Sequence, residues 1–206
     1  TTTNDPNNGA KRVVFLIESN NGQYPISTVY WSLYTFGNGT FDAWVVNGGY
    51  FTTDSNPQTG IMPGDNNKTV GIPSTALKLL SIGSYVTKTQ WIDIDGNTWN
   101  QGGNPVLGAK SGFSSMGPSR DGRMKPDIAA PGEVIIAALS SNLTIGPNHT
   151  PRQNVVQGGK YQKMQGTSMA APHVTGIIAL MLQRNSTLEY QQAFNILTST
   201  ARKDAF

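Results

Sequence analysis

A serine lies where the sequence changes from a glycine turn to a helical pattern. Residues 166–174 read Gly-Thr-Ser-Met-Ala-Ala-Pro-His-Val, which places the hydroxyl of Ser168 two residues after Gly166. The first N–H groups of a helix have no partner within the helix, and the positive end of the helix dipole lies there. A hydroxyl in this position can attack a carbonyl group while nearby N–H groups stabilise the developing oxyanion. Ser168 is therefore the candidate nucleophile.

The helix that would position Ser168 is predicted from the apolar residues that follow it. They recur at intervals of three and four, which indicates a single apolar face. These residues are Val174, Ile177, Ile178, Met181 and Leu182. Gly176 and Ala179 have small side chains, so we expect a neighbouring element to approach the helix closely.

Two segments upstream of the serine extend the pattern. Residues 113–118 read Phe-Ser-Ser-Met-Gly-Pro, and residues 125–132 read Lys-Pro-Asp-Ile-Ala-Ala-Pro-Gly. In this order and at this spacing, they and residues 166–174 resemble the nucleophile region of the subtilisin-like serine proteases, the subtilases. Residues 79–85 look like a core strand of the same fold. The resemblance covers roughly residues 69–206.

The resemblance implies a fold, an activity and a substrate. It implies an α/β fold, the C-terminal part of a subtilisin-like three-layer architecture with a parallel sheet. The activity is that of a serine endopeptidase with Ser168 as the catalytic residue and a polypeptide as the substrate. No cofactor is expected, although a structural calcium ion would be compatible with the intact protein. Met164 and Gln165 are expected to line the leaving-group side of the cleft.

The other members of a catalytic triad are missing from the sequence. A triad needs a base within hydrogen-bond reach of the serine and a carboxylate that orients this base. Subtilases carry them in Asp-Thr-Gly or Asp-Ser-Gly and His-Gly-Thr motifs, and this chain has neither. Its two histidines are His149, in a polar loop, and His173, five residues after Ser168. At 100° per residue His173 points away from the serine, so we expect it to bond or pack within the helix.

We therefore expect a fragment of a subtilase that is inactive alone and has the missing N-terminal part of the same protease as its partner. The chain begins without an initiator methionine and without a signal peptide, which agrees with this expectation. No upstream asparagine is assigned to the oxyanion hole. A processed protease whose two halves associate would also fit.

Composition excludes several other classes of function. Charged residues make up 13% of the chain, and the net charge of +3 is scattered without a basic run, which disfavours nucleic-acid binding. The chain has no cysteine, which excludes disulfides and thiolate sites. The apolar stretch from Ile177 to Leu182 is too short for a membrane span. The abundance of neutral polar residues favours a secreted, cell-surface or periplasmic protein.

Residues 1–60 differ from residues 61–206. Aromatic and β-branched residues are frequent in the first segment, with turn residues between them, which predicts antiparallel strands such as Phe41 to Val46. We interpret this segment as part of an inserted β-sandwich of jelly-roll type, and residues 61–206 as catalytic-domain sequence. The alternative is that residues 1–60 are catalytic-domain strands of divergent sequence. Aromatic residues of this kind would also suit a non-catalytic protein that binds glycans or proteins.

Local patterns predict five further features. Residues 91–99 read as a hairpin with an Asp-Gly turn, and they faintly suggest a calcium loop, although its terminal glutamate is absent. Val134 to Leu139 reads as a buried strand, and Ser186 to Glu189 as the capping box of a second helix with Tyr190, Ala193, Phe194 and Leu197 on its apolar face. Asp127 is expected to accept backbone N–H bonds. Glu133 is expected at a turn or a strand edge.

Overall fold

A computed structural model describes residues 2–4, 11–13, 41–45, 64–146 and 150–203. The chain forms two compact units, residues 1–65 and residues 66–206. The predicted division into segments 1–60 and 61–206 lies close to this boundary, but the predicted jelly-roll strands fall mostly outside the described residues. The nature of the first segment therefore stays a prediction.

The first unit contains one short antiparallel pair of strands among its described residues. Strand β1 (Thr2–Asn4) pairs with β2 (Lys11–Val13). Residues 41–45 form no strand, so the strand predicted from Phe41 onward is wrong over these residues. A strand needs backbone hydrogen bonds to a neighbour. Phe41 and Trp44 are 60% and 45% exposed, so their aromatic character alone does not build a strand here.

The second unit is organised around a parallel pair of strands. Strand β3 (Ile82–Val86) pairs in parallel with β6 (Ile128–Glu133). A parallel pair requires a long connection between its strands. Here that connection includes a hairpin of β4 (Gln90–Ile92) and β5 (Thr98–Asn100). The α/β class is confirmed, and the core strand predicted at residues 79–85 is present over Ile82–Val86. Within the described residues the parallel sheet has two strands.

Helix α1 (Thr167–Arg184) packs against both parallel strands. Ala130, Ala170, Val174 and Leu197 form the buried centre, and Ile178 and Met181 pack against it. These contacts confirm part of the predicted apolar face. Ile177 and Leu182 are 47% and 39% exposed, which contradicts their assignment to the buried face. Residues 170, 174, 178 and 181 follow the i, i+4, i+8, i+11 line that faces the sheet, and residues 177 and 182 lie beside it.

Strand β7 (Ile135–Ala138) pairs antiparallel with β8 (Tyr161–Met164), which leads into α1. The strand predicted at Val134 to Leu139 is therefore present but shorter, and it is not buried throughout, since Ala138 is exposed. Val134 lies between β6 and β7 with a φ of 54°. This left-handed conformation is rare for a β-branched residue, and it ends one strand before the next begins.

Helix α2 (Tyr190–Thr200) follows after a short turn. Its capping box is formed by Glu189 and Gln192, and the backbone N–H of Glu189 donates to the Gln192 side chain at 3.0 Å. The box predicted at Ser186 to Glu189 is therefore wrong by three residues. Of the predicted apolar face, Ala193 and Leu197 are buried, whereas Tyr190 is 37% exposed. Helix α2 therefore begins three residues later than Ser186 suggests, because Glu189 makes the capping contacts.

Candidate active site

Ser168 is the second residue of α1, and its side chain is exposed. Among the described residues no side chain is hydrogen-bonded to its hydroxyl. Pro172 follows four positions later inside the helix. Because proline lacks an N–H, the carbonyl of Ser168 has no i+4 helical partner. The first turn therefore presents both an open hydroxyl and the backbone N–H groups that helix geometry leaves without partners.

Gly166 fixes the turn that presents Ser168. It precedes the helix with φ 139°, a conformation that side-chain-bearing residues rarely adopt. Its N–H donates to the carbonyl of Gly132 at 2.8 Å, and its own carbonyl accepts from Met169 at 2.9 Å. Since Gly132 belongs to β6, these bonds attach the nucleophile turn directly to the parallel sheet.

Gly132 must be small for this attachment to exist. A Cβ atom at Gly132 would overlap the hydroxyl of Ser84 and lie 2.8 Å from the Gly166 carbonyl oxygen. The glycine of the 125–132 segment and the glycine of the 166–174 segment are thus in direct contact.

The 113–118 segment stabilises β3 through buried serine hydroxyls. Ser114 Oγ accepts from the Ser84 N–H at 3.0 Å, and Ser84 Oγ bonds Ser111 Oγ at 2.8 Å. A buried polar group needs such a partner to offset its lost hydration. Gly117 of the same segment lies so close to the Lys125 backbone that no Cβ could be accommodated. These contacts join the 113–118 segment to β3 and to the 125–132 segment.

Asp127 has the structural role that its sequence context predicts. Its Oδ2 accepts from the Ser81 N–H at 2.7 Å and from Lys125 Nζ at 2.6 Å. Lys125 also donates to the Leu79 carbonyl at 3.0 Å. The two charged side chains are only 5% and 6% exposed. A buried pair with these additional hydrogen bonds joins β3 to β6 and is not available as a triad acid.

Neither histidine is observed as a base for Ser168. His173 Nδ1 bonds the Met169 carbonyl at 2.8 Å within α1, which confirms the predicted hydrogen bond in the first turns. His149 lies outside the described residues. Glu133 is the last residue of β6, as predicted for a strand edge, and it is 5% exposed. Its Oε2 has no hydrogen-bond partner within the described part of the chain.

A family model of the subtilase family matches residues 19–206. The chain belongs to the subtilase family. This membership confirms the resemblance inferred from the three motif segments. The match also includes most of the segment that we interpret as an insert.

Three relatives from bacteria illustrate the range of similarity. Serine protease AprX of Bacillus subtilis is 34% identical over 140 residues, which is 68% of this chain and 28% of AprX. C5a peptidase of Streptococcus pyogenes is 41% identical over 80 residues, 39% of this chain and 5% of that protein. Fervidolysin of Fervidobacterium pennivorans is 38% identical over 92 residues, 44% of this chain and 12% of fervidolysin. This subtilase sequence therefore spans less than a third of each of these relatives.

A solved structure of a cold-adapted subtilisin-like serine proteinase is also similar. It is 26% identical and has a TM-score of 0.39 over 63% of this chain and 32% of that protein. The assignment to the subtilases rests on the family model and not on this match.

The faint calcium pattern in the β4–β5 hairpin has a different explanation in this subtilase. The carboxylate of Asp93 accepts from the N–H groups of Asp95 and Asn97, from the Asn97 amide and from the Trp99 indole. These donors hold the pKa of Asp93 below its usual value, with the Trp99 indole as the largest cause. Asp95 forms an ion pair with Arg152. The residues of this loop therefore do not fit a calcium site, because their carboxylates already have protein partners.

The structure also brings together side chains that local sequence patterns do not connect. Lys163 Nζ lies 4.9 Å from the centre of the Trp91 ring, and it donates to Gln165 Oε1 at 2.7 Å. Gln101 Nε2 donates to the same oxygen at 2.8 Å. Trp91 and Lys163 are far apart in the sequence, so periodicity and motif spacing carry no sign of this cluster.

No helix among the described residues is long and apolar enough to cross a membrane.

Proposed function

We propose that this chain is the nucleophile-bearing part of a subtilisin-type serine endopeptidase. The observation that supports the proposal best is the geometry of Ser168, an exposed hydroxyl in the first turn of α1 whose preceding glycine is bonded to the parallel sheet. Membership of the subtilase family and the similarity to serine protease AprX support it further.

Peptide-bond hydrolysis would proceed by acyl transfer. Ser168 Oγ attacks the carbonyl carbon of the scissile bond, and its proton passes to a base and from there to the leaving amine. Water then hydrolyses the acyl ester and regenerates the hydroxyl. The N–H groups at the start of α1 can stabilise the oxyanion. We propose that the base, its orienting carboxylate and any further oxyanion donor come from a part of the protease outside this sequence.

The low proportion of charged residues also supports a secreted, cell-surface or periplasmic location for the parent protease. Membership of the subtilase family supports a polypeptide as its substrate. Both follow from the same proposal.

A fluorophosphonate probe tests the proposal, because it labels only a serine that is activated as a nucleophile. We expect the full-length protease to be labelled and its Ser168→Ala variant to lose labelling completely. Ser186→Ala, in the exposed turn between the helices, is the matched control and should be labelled like the wild type. This chain alone should not be labelled. A folded full-length protein that is not labelled would contradict the proposal and favour a non-catalytic binding protein.

A further inference from the structure

A surface cavity lies beside the segment that leads to the nucleophile. Its volume is about 460 Å³, with Thr150, Pro151 and Asn154 on one side and Lys163, Met164 and Gln165 on the other. Gln165 precedes Ser168 by three residues, so their Cα atoms can be at most about 11 Å apart. An extended peptide rises by about 3.4 Å per residue. A side chain within about three residues of the scissile bond can therefore reach this cavity.

Lys163 is held in a defined position in the cavity wall. Its ammonium group lies over the Trp91 ring and donates to Gln165 Oε1. Trp91 is fixed in turn, since its indole N–H donates to the Gln153 carbonyl at 2.6 Å. Gln165 is fixed by its bond from Gln101. A lysine side chain is usually mobile. Because these contacts already restrict the Lys163 side chain, less conformational entropy is lost when a ligand binds.

No ion pair of Lys163 is present among the described residues, although the carboxylate of Glu133 is near enough for its charge to act on the ammonium group. Burial lowers the pKa of Lys163, and the negative charge of Glu133 opposes this effect. An ammonium group has three N–H donors, and Gln165 accepts from one of them. A donor of a partly dehydrated cation thus remains for an anionic group that enters the cavity.

We infer that Lys163 selects an acidic side chain of the substrate at a position close to the scissile bond. This inference rests on the proposed peptidase function and names a preference of the same site. Pro151, which also lines the cavity, can contact the methylene groups of a glutamate, while the glutamate carboxylate accepts from Lys163. A charge-assisted hydrogen bond of this kind should give a preference of roughly tenfold, which corresponds to about 1.4 kcal/mol.

The test uses the full-length protease and peptides that differ at one position only. Each position within three residues of the scissile bond, on both sides, carries either Glu or its neutral isostere Gln, and kcat/KM is measured for each pair. We expect one position at which Glu exceeds Gln by about tenfold. In Lys163→Met this ratio should fall to about one, and in Lys163→Glu it should invert. Lys163→Arg should retain a preference for Glu.

Lys160→Met provides the matched control, because Lys160 is exposed and lies immediately before the same strand. Its Glu/Gln ratio should equal that of the wild type. Because the ratio is taken within one enzyme, partial misfolding of a variant reduces both rates and leaves the ratio unchanged. Equal cleavage of all Glu and Gln pairs by an active wild type, or an unchanged preference in Lys163→Met, would overturn the inference. A wild type that cleaves none of the peptides and reacts with no serine probe would instead overturn the proposed function.

Discussion

At the scale of single residues, the position of Ser168 depends on two glycines more than on any side chain. Gly166 adopts a conformation that favours glycine, and Gly132 allows β6 to touch the turn. The hydroxyl itself contributes no hydrogen bond that would stabilise the fold among the described residues. The position of Ser168 is thus set by its neighbours, and under the proposed function changes at these neighbours should affect activity through geometry.

Gly132→Ala is the sharpest test of this view. The added methyl group overlaps Ser84 Oγ and approaches the Gly166 carbonyl, so either β3 or the nucleophile turn must move. Overpacking of this kind costs about 1–3 kcal/mol of unfolding free energy. We also expect kcat/KM of the full-length protease to fall at least 100-fold, because a displacement of about 1 Å at a reacting group has an effect of that size.

Gly112→Ala is the matched control for this substitution. Gly112 is exposed, and nothing lies within 4 Å of a Cβ at this position. Its stability, measured by urea unfolding, and its kcat/KM should remain close to those of the wild type. A Gly132→Ala protein with wild-type activity would show that the contact between the two motif segments does not position the nucleophile.

At the scale of elements, the β4–β5 hairpin positions Trp91 against Lys163. Its turn is organised by one carboxylate, since Asp93 is buried and accepts four hydrogen bonds from residues 95–99. A second contact is the ion pair of Asp95 and Arg152, which is exposed and should contribute little. The position of the β4–β5 hairpin should therefore depend on the charge state of Asp93.

The lowered pKa of Asp93 determines in which direction the stability of the fold changes with pH. A carboxyl group whose pKa is lower in the folded state stabilises the fold above its unfolded pKa of about 3.9, and this stabilisation is lost as the pH falls through the folded pKa. We expect Asp93→Asn to lower the midpoint of thermal unfolding at pH 7. The difference from the wild type should shrink as the pH falls below about 4.

Thermal unfolding followed by tryptophan fluorescence measures this effect, because Trp99 bonds Asp93 directly. Asp95→Asn in the same turn serves as the control and should change the midpoint much less at every pH. A difference between Asp93→Asn and the wild type that stays constant from pH 7 to pH 3 would contradict the assigned role of the carboxylate.

The same hairpin shows how far sequence reasoning reaches. The Asp-Gly turn predicted the hairpin correctly, and periodicity predicted α1, because turn chemistry and helical spacing are local properties. The nucleophile motif gave the candidate residue Ser168 for the same reason. The capping box was misplaced by three residues, because the structure has Glu189 at the N-cap, and glutamate is not among the residues that usually occupy this position. The Lys163 cluster was missed, because it joins residues that only the tertiary fold brings together.

At the scale of the whole molecule, α1 presents an apolar side that the described fold does not cover. Ile177 and Leu180 are 47% and 67% exposed, and Gly176, directly before Ile177, has nothing within 4 Å of a Cβ. The small residues of α1 predicted a closely approaching element, and none is observed at Gly176 within the described part of the chain. Under the proposed function, we expect a part of the protease outside this sequence to cover this side.

The substitution Gly176→Ala tests whether this side of α1 is covered in the full-length protease and uncovered in this chain alone. In this chain alone the substitution should raise the free energy of unfolding by up to about 1 kcal/mol, because alanine favours a helix over glycine by that amount. In the full-length protease the same methyl group would meet a closely packed neighbour, and overpacking should lower the free energy of unfolding by about 1–3 kcal/mol. Urea unfolding of both proteins measures the two signs. Ser199→Ala on the exposed side of α2 should have the same small effect in both proteins. A Gly176→Ala substitution that stabilises both proteins equally would show that this side of α1 remains open in the protease, and the completion of the fold would then have to involve another surface.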